Sequence, residues 1–176
     1  MRKLLVTLAS LTLLTIADAA ETGKLNEHLE PFRPFLGKTW RGELKEPGAT
    51  TVKIDVARWE RALNGEAIRT LHSVDDGAYG GESIIIWDAT QKKLIYFYFT
   101  TAGFRTTGFF LLEGKQFVAE EEVTGSAQGI TKVRSISEIR EDGAMVNKSE
   151  YFKDGKWVPG HERVYREDPR AEVRFR

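Results

Sequence analysis

Three histidines and no cysteine bound the reactive chemistry available to this chain of 176 residues. Of these, His72 has the most promising neighbours, because Asp75 and Asp76 follow it and Gly77, Gly80 and Gly81 loosen the backbone beyond. Such a stretch suits a metal, an acid-base pair or a phosphate-cradling loop. A phosphate loop needs a helix behind it, so that amides and helix dipole face the anion. Here Glu82 to Trp87 is isoleucine-rich and reads as a strand. A metal would need a further ligand converging on His72, Asp75 and Asp76, and Asp-Asp-Gly is an ordinary turn signal. The stretch is therefore read as a turn followed by a glycine loop tipped by Tyr79, with no metal site assigned. His72 with Asp75 or Asp76 remains an acid-base candidate, as does the run Glu120, Glu121, Glu122, whose alternate carboxylates share a face of a strand. No serine stands in a nucleophile-elbow context, and no catalytic residue is assigned.

Charges that share a face with apolar residues carry more information. Val52, Ile54 and Val56 alternate with Lys53 and Asp55, and this parity extends to Arg58. Glu121 shares a face with Phe117, Ala119 and Val123, and Arg134 and Glu138 share one with Ile136. A buried charge is costly unless paired, so these residues either pair inside the fold or receive an anionic head group. Arg58 and Arg134 are the candidate head-group partners. Trp59, Tyr79, Trp87, Tyr96, Phe104 and Phe109, close to glycine-rich turns, are the candidate lining of a ligand cavity.

The elements that must position these residues are short and regularly punctuated. Turn signals such as Pro47-Gly48, Asn64-Gly65, Glu113-Gly114, Asp142-Gly143 and Asp154-Gly155 separate about ten β-rich segments between Thr39 and Arg166. So long an antiparallel meander, with almost no helix to cover its faces, is expected to close into a single up-and-down β-barrel. A short helix around Leu25 to Phe35 is expected to plug one end. The strands Ile84 to Trp87 and Leu94 to Phe99 are apolar on both faces, which implies outer cover either by the N-terminal segment or, in a homodimer, by a second subunit.

Residues 1–19 read as a signal peptide, with Arg2 and Lys3, a largely apolar run from Leu4 to Ile16, and small residues at Ala17 and Ala19. Residues 20–176 then form one domain, exported to the periplasm or the extracellular space. The apolar run falls short of the roughly 18 residues of a membrane span. Basic and acidic side chains balance at 26 each, which gives nucleic acid no electrostatic foothold.

With these elements in place, Phe35-Leu36-Gly37-Lys38-Thr39-Trp40-Arg41-Gly42 resembles the opening strand of lipocalin-like (calycin) barrels. It is most similar to that of nitrobindin-like and related bacterial secreted barrels, where glycines flank a first-strand tryptophan. The Gly-x-x-Trp spacing differs from the Gly-x-Trp of true lipocalins. Arg58-Trp59-Glu60, Leu63-Asn64-Gly65 and the closing Glu162-Arg163-Val164-Tyr165-Arg166 agree with the same pattern. The resemblance implies that Arg163 or Arg166 covers Trp40. It also implies a small hydrophobic or amphiphilic ligand, its carboxylate held by interior arginines much as in fatty-acid-binding barrels. The alternative it implies is a haem held through a histidine near the chain's end, here His161. Pro159-Gly160 reads as a turn that leaves His161 at the barrel rim.

Overall fold

The computed structural model describes residues 23–126 and 128–176, so the signal peptide expected at 1–19 lies outside the described residues. The ten strands are β1 (Thr39–Lys45), β2 (Lys53–Ala62), β3 (Ala67–Val74), β4 (Tyr79–Asp88), β5 (Lys93–Thr100), β6 (Arg105–Glu113), β7 (Gln116–Thr124), β8 (Ile130–Ile139), β9 (Met145–Lys153) and β10 (Lys156–Glu167). Each pairs antiparallel with its sequence neighbour, and β1 pairs with β10 to close the barrel. The seam runs from Trp40 opposite Glu167 to Lys45 opposite Glu162. Closure leaves no edge strand to template aggregation.

A 3-10 helix, Glu27–Phe35, plugs one end. Asn26 caps it by accepting the His28 amide, and Pro31 and Pro34 fix φ while giving up donors. Leu29, Phe32 and Phe35 recur every third residue, which matches the three residues per turn of a 3-10 helix and puts all three on one buried face. Phe32 packs on Trp59, Phe110 and Phe117 at centroid distances of 6.0, 5.4 and 4.7 Å, and Phe35 stacks on Trp59 at 5.0 Å. This half of the barrel is a filled apolar core with Trp40, Ile68, Ile85 and Leu94.

The chain end forms a strap over the outside. Asp168 donates its amide to Thr39 O, and Arg174 donates its amide to Ser73 Oγ at 3.0 Å. Arg174 and Arg176 both clasp Asp76 in the β3–β4 turn. Ile54 and Val56 face this strap across a groove shared with Asp168, Ala171 and Arg174. That contact corrects the expected parity of β2, because its branched apolar residues face outward under the strap.

The helix Glu27–Phe35 sits in the barrel end, and among the described residues Phe97 and Phe99 on the outer face of β5 stay 39 % and 53 % exposed. No helix among the described residues is long and apolar enough to cross a membrane.

Candidate functional site

The half of the barrel away from the plug has a polar interior, built by the inward residues of eight strands. Asp55 is its hub. The side chain is fully buried, yet its Oδ1 lies 3.1 Å from His72 Nδ1, and its Oδ2 accepts from Tyr165 OH at 2.9 Å and lies 3.0 Å from Arg163 Nε. Burial alone would raise the Asp55 pKa; the His72 hydrogen bond and charge, the Arg163 charge and the Tyr165 hydrogen bond outweigh it and hold the carboxyl below its usual value.

With Asp55 ionised, His72 donates from Nδ1. In the Nδ1–H tautomer, His72 Nε2 accepts from Tyr98 OH, 2.7 Å away, and Tyr98 OH accepts in turn from Tyr79 OH at 2.7 Å. Tyr79 stacks on Phe104 at the mouth, with ring centroids 6.4 Å apart. A polar line therefore runs from the mouth to the sealed carboxylate. Burial and the neighbouring Tyr79 push the Tyr98 pKa far up, so its hydroxyl keeps its proton.

Three inward glycines make this centre possible. Asp55 lies opposite Gly42, which lies opposite Tyr165, so the Tyr165 ring reclines across the glycine to reach the carboxylate. Tyr98 reclines over Gly81 towards His72, and Tyr96 over Gly108 towards Glu121, in the same manner. Each glycine supplies floor space that a Cβ would occupy.

Arg163 is enclosed by the barrel but not sealed, with 20 % of its side chain accessible against 0 % for Asp55. Its Nε has no acceptor in hydrogen-bonding geometry, and no other hydrogen bond to the guanidinium occurs among the described residues. The ion pair with Asp55 thus leaves most of a five-donor group facing the interior. Its charge reaches Glu121, Tyr79, Tyr98, Tyr151 and His161.

His161 is inside as well. The β10 register shifts between Pro159 and Glu162, and this bulge turns the histidine inward. Gly160 packs against Ser149, whose hydroxyl donates to His161 O at 3.0 Å, and Tyr151 OH hydrogen-bonds His161 Nδ1. Burial and then the Arg163 charge push the His161 pKa down to about 2, so the imidazole is neutral. The expected position at the rim is corrected: the turn is at Asp154-Gly155, and Pro159-Gly160 belongs to the bulge. With Nδ1 engaged by Tyr151, Nε2 is the atom that would hold a haem iron, and a neutral, buried imidazole fits that role.

Of the residues singled out in the sequence, Tyr79 and Phe104 stand at the mouth. Tyr96 is buried mid-barrel, 4.6 Å from Phe110. Trp59 and Trp87 belong to the plugged end, where Trp87 stacks on His28 at 3.6 Å. Phe109 faces outward beneath Lys93. Arg58 and Arg134, expected inside, both face outward. Arg58 pairs with Glu60 at 2.9 Å because strap cover reverses the β2 parity. Arg134 pairs with Glu120 at 3.0 Å and lies over Trp157, while the small Ser135 and Ser137 take the inward positions of β8. His72 meets neither Asp75 nor Asp76, which form the β3–β4 turn. Neither arginine of β10 covers Trp40 in the way implied: Arg163 holds Asp55, Arg166 holds Asp142, and Lys38 Nζ lies 5.7 Å over the Trp40 ring.

No family model and no curated protein sequence matches the chain. Among solved structures, the chain is similar to the crystal structure of Rv2717c from M. tuberculosis, with a TM-score of 0.60 and 13 % identity over 82 % of this chain and 99 % of that one. At that identity the likeness shows the fold alone, a closed antiparallel barrel.

Proposed function

We propose that this barrel binds a small amphiphilic acid in its polar half, with the carboxylate on Arg163 and the apolar part towards the mouth. The observation that carries this reading is a guanidinium inside a closed barrel whose only ionic partner among the described residues is Asp55, already shared with His72 and Tyr165. An enclosed cation with idle donors is a costly arrangement that an anion relieves. Tyr79, Phe104, Val123 and Val133 supply apolar surface above it. Because the plugged half is filled by Leu29, Phe32 and Phe35, the ligand is short; a long-chain lipid does not suit the space. The leader-like residues 1–19 support a role outside the cytoplasm.

Calorimetric titration of the purified protein with hexanoate tests the reading. Binding that is lost in Arg163→Gln and kept in Arg134→Gln supports it; no heat with any short carboxylic acid, plain or oxygenated, at saturating concentration, rejects it.

A second reading is a haem held through His161, the ligand implied by the likeness of the first strand to nitrobindin-like barrels. It is favoured by the inward, neutral imidazole. A Soret band on adding haemin, abolished in His161→Ala, would select this reading.

A further inference from the structure

Opposite Arg163, the barrel wall carries a second group of idle polar atoms. In a ten-strand ring β5 is diametrically across from β10, and β6 and β7 follow it. Tyr96 on β5, Thr106 on β6 and Glu121 on β7 all face inward from this wall. Tyr96 and Thr106 are only 5 % and 3 % exposed, yet Tyr96 OH and Thr106 Oγ1 have no hydrogen-bond partner among the described residues. Both lean on the Glu121 carboxyl closely enough to influence its ionisation, without completing a hydrogen bond to it.

The approach is built in. Gly108 separates Tyr96 from Glu121 in the register, and a Cβ there would stand 2.9 Å from the Tyr96 hydroxyl. Burial raises the Glu121 pKa against those two hydroxyls and the Arg163 charge. Buried polar atoms in folded proteins are nearly always satisfied. Two buried hydroxyls without a partner among the described residues, side by side next to the Glu121 carboxyl, can each donate to one more oxygen.

We propose that this place receives a second oxygen of the ligand, so that the molecule is an oxygenated carboxylic acid, a hydroxy or keto acid, and not a plain alkanoate. The inference rests on the binding reading above and adds its substrate class. The carboxylate sits on Arg163 of β10. The hydroxyl or carbonyl oxygen crosses the interior to accept from Tyr96 or Thr106. A site of this kind discriminates strongly, because the analogue lacking the oxygen leaves its buried donors unpaired.

The test compares hexanoate with its monohydroxy and monoketo derivatives by calorimetry on the same purified protein. At least one oxygenated acid is expected to bind about tenfold tighter than hexanoate. That advantage, measured against hexanoate on the same variant, should fall to about twofold or less in Tyr96→Phe/Thr106→Val. Thr106→Val alone, a smaller perturbation, should cut it by about threefold and covers the case in which the double variant does not fold. If hexanoate binds through Arg163 but no oxygenated acid binds tighter, or if the advantage survives both variants, water alone fills the place and the inference fails while the binding reading stands. If no acid binds at all, both fall.

Discussion

Tyr165 reaches Asp55 by lying across Gly42: its hydroxyl donates to Oδ2 at 2.9 Å, and a Cβ on residue 42 would stand 2.6 Å from its ring and 2.7 Å from Val164 O. The neighbouring backbone carbonyl shares the collision, so a side-chain rotation cannot relieve it. Gly42→Ala should therefore cost about 1–3 kcal/mol, at the upper end of that range. Tyr165→Phe, which keeps the packing and removes one bond to a buried carboxylate, should cost about 1–3 kcal/mol. Urea unfolding of both variants checks the order; a Gly42→Ala protein as stable as the parent would contradict the reclining-ring arrangement.

The plug predicts a large packing effect at a residue outside the sheet. Phe32 is 1 % exposed among three aromatic rings, so Phe32→Ala should lose about 3–5 kcal/mol. Pro34→Ala should change stability far less, since that residue supplies backbone restriction and not core volume. Thermal denaturation followed by far-ultraviolet circular dichroism distinguishes the two.

The pH dependence of stability should show two opposed slopes. His161 is neutral in the fold with its pKa down near 2, whereas the unfolded chain takes up its proton below about 6.5. Between these values the unfolded state binds more protons, so stability falls as pH falls. Glu121 acts the other way. Its folded pKa is raised above 4.5, so its contribution is full below that value and is lost as pH rises. Just above pH 4.5 the two slopes, each at most about 1.4 kcal/mol per pH unit, offset one another. His161→Gln should leave stability decreasing with rising pH there, and Glu121→Gln should leave it increasing. Parallel profiles in the two variants would refute the assignment.

Export predicts a shortened chain. Protein recovered outside the cytoplasm should begin at or near Ala20, and intact-mass analysis showing Met1 retained in that fraction would count against it.

All ten strands, the closure and the plugging helix were legible in the sequence, because turn residues mark hairpin ends and a long meander has few alternatives to closing. The site was legible only in part. Glu121 was read inward correctly from its neighbours Phe117, Ala119 and Val123. Arg58 was misread because apolar alternation reports burial without saying by what. In β2 the outward face is covered by the strap, and the inward one carries Asp55, Ala57 and Trp59. His161 was misread because Pro159-Gly160 has the composition of a turn and is instead a one-residue bulge within β10, which points the histidine inward. The three reclining tyrosines leave a trace in the sequence, since Gly42, Gly81 and Gly108 interrupt strands without ending them. Their pairing with Tyr165, Tyr98 and Tyr96 needs the register, which no local pattern encodes.

The seam between β1 and β10 sets the order in which the molecule can form. Trp40 has no partner at position 167 until nearly the whole chain exists, and Asp55 waits for residues more than a hundred positions later to receive Arg163 and Tyr165. Pairings so distant in sequence give a high contact order and folding on the slow side, milliseconds to seconds. Until then the nascent barrel is an open ribbon with an unneutralised carboxylate at its centre. A chain that cannot shut early stays open to whatever else can pair with its first strand until its last one arrives.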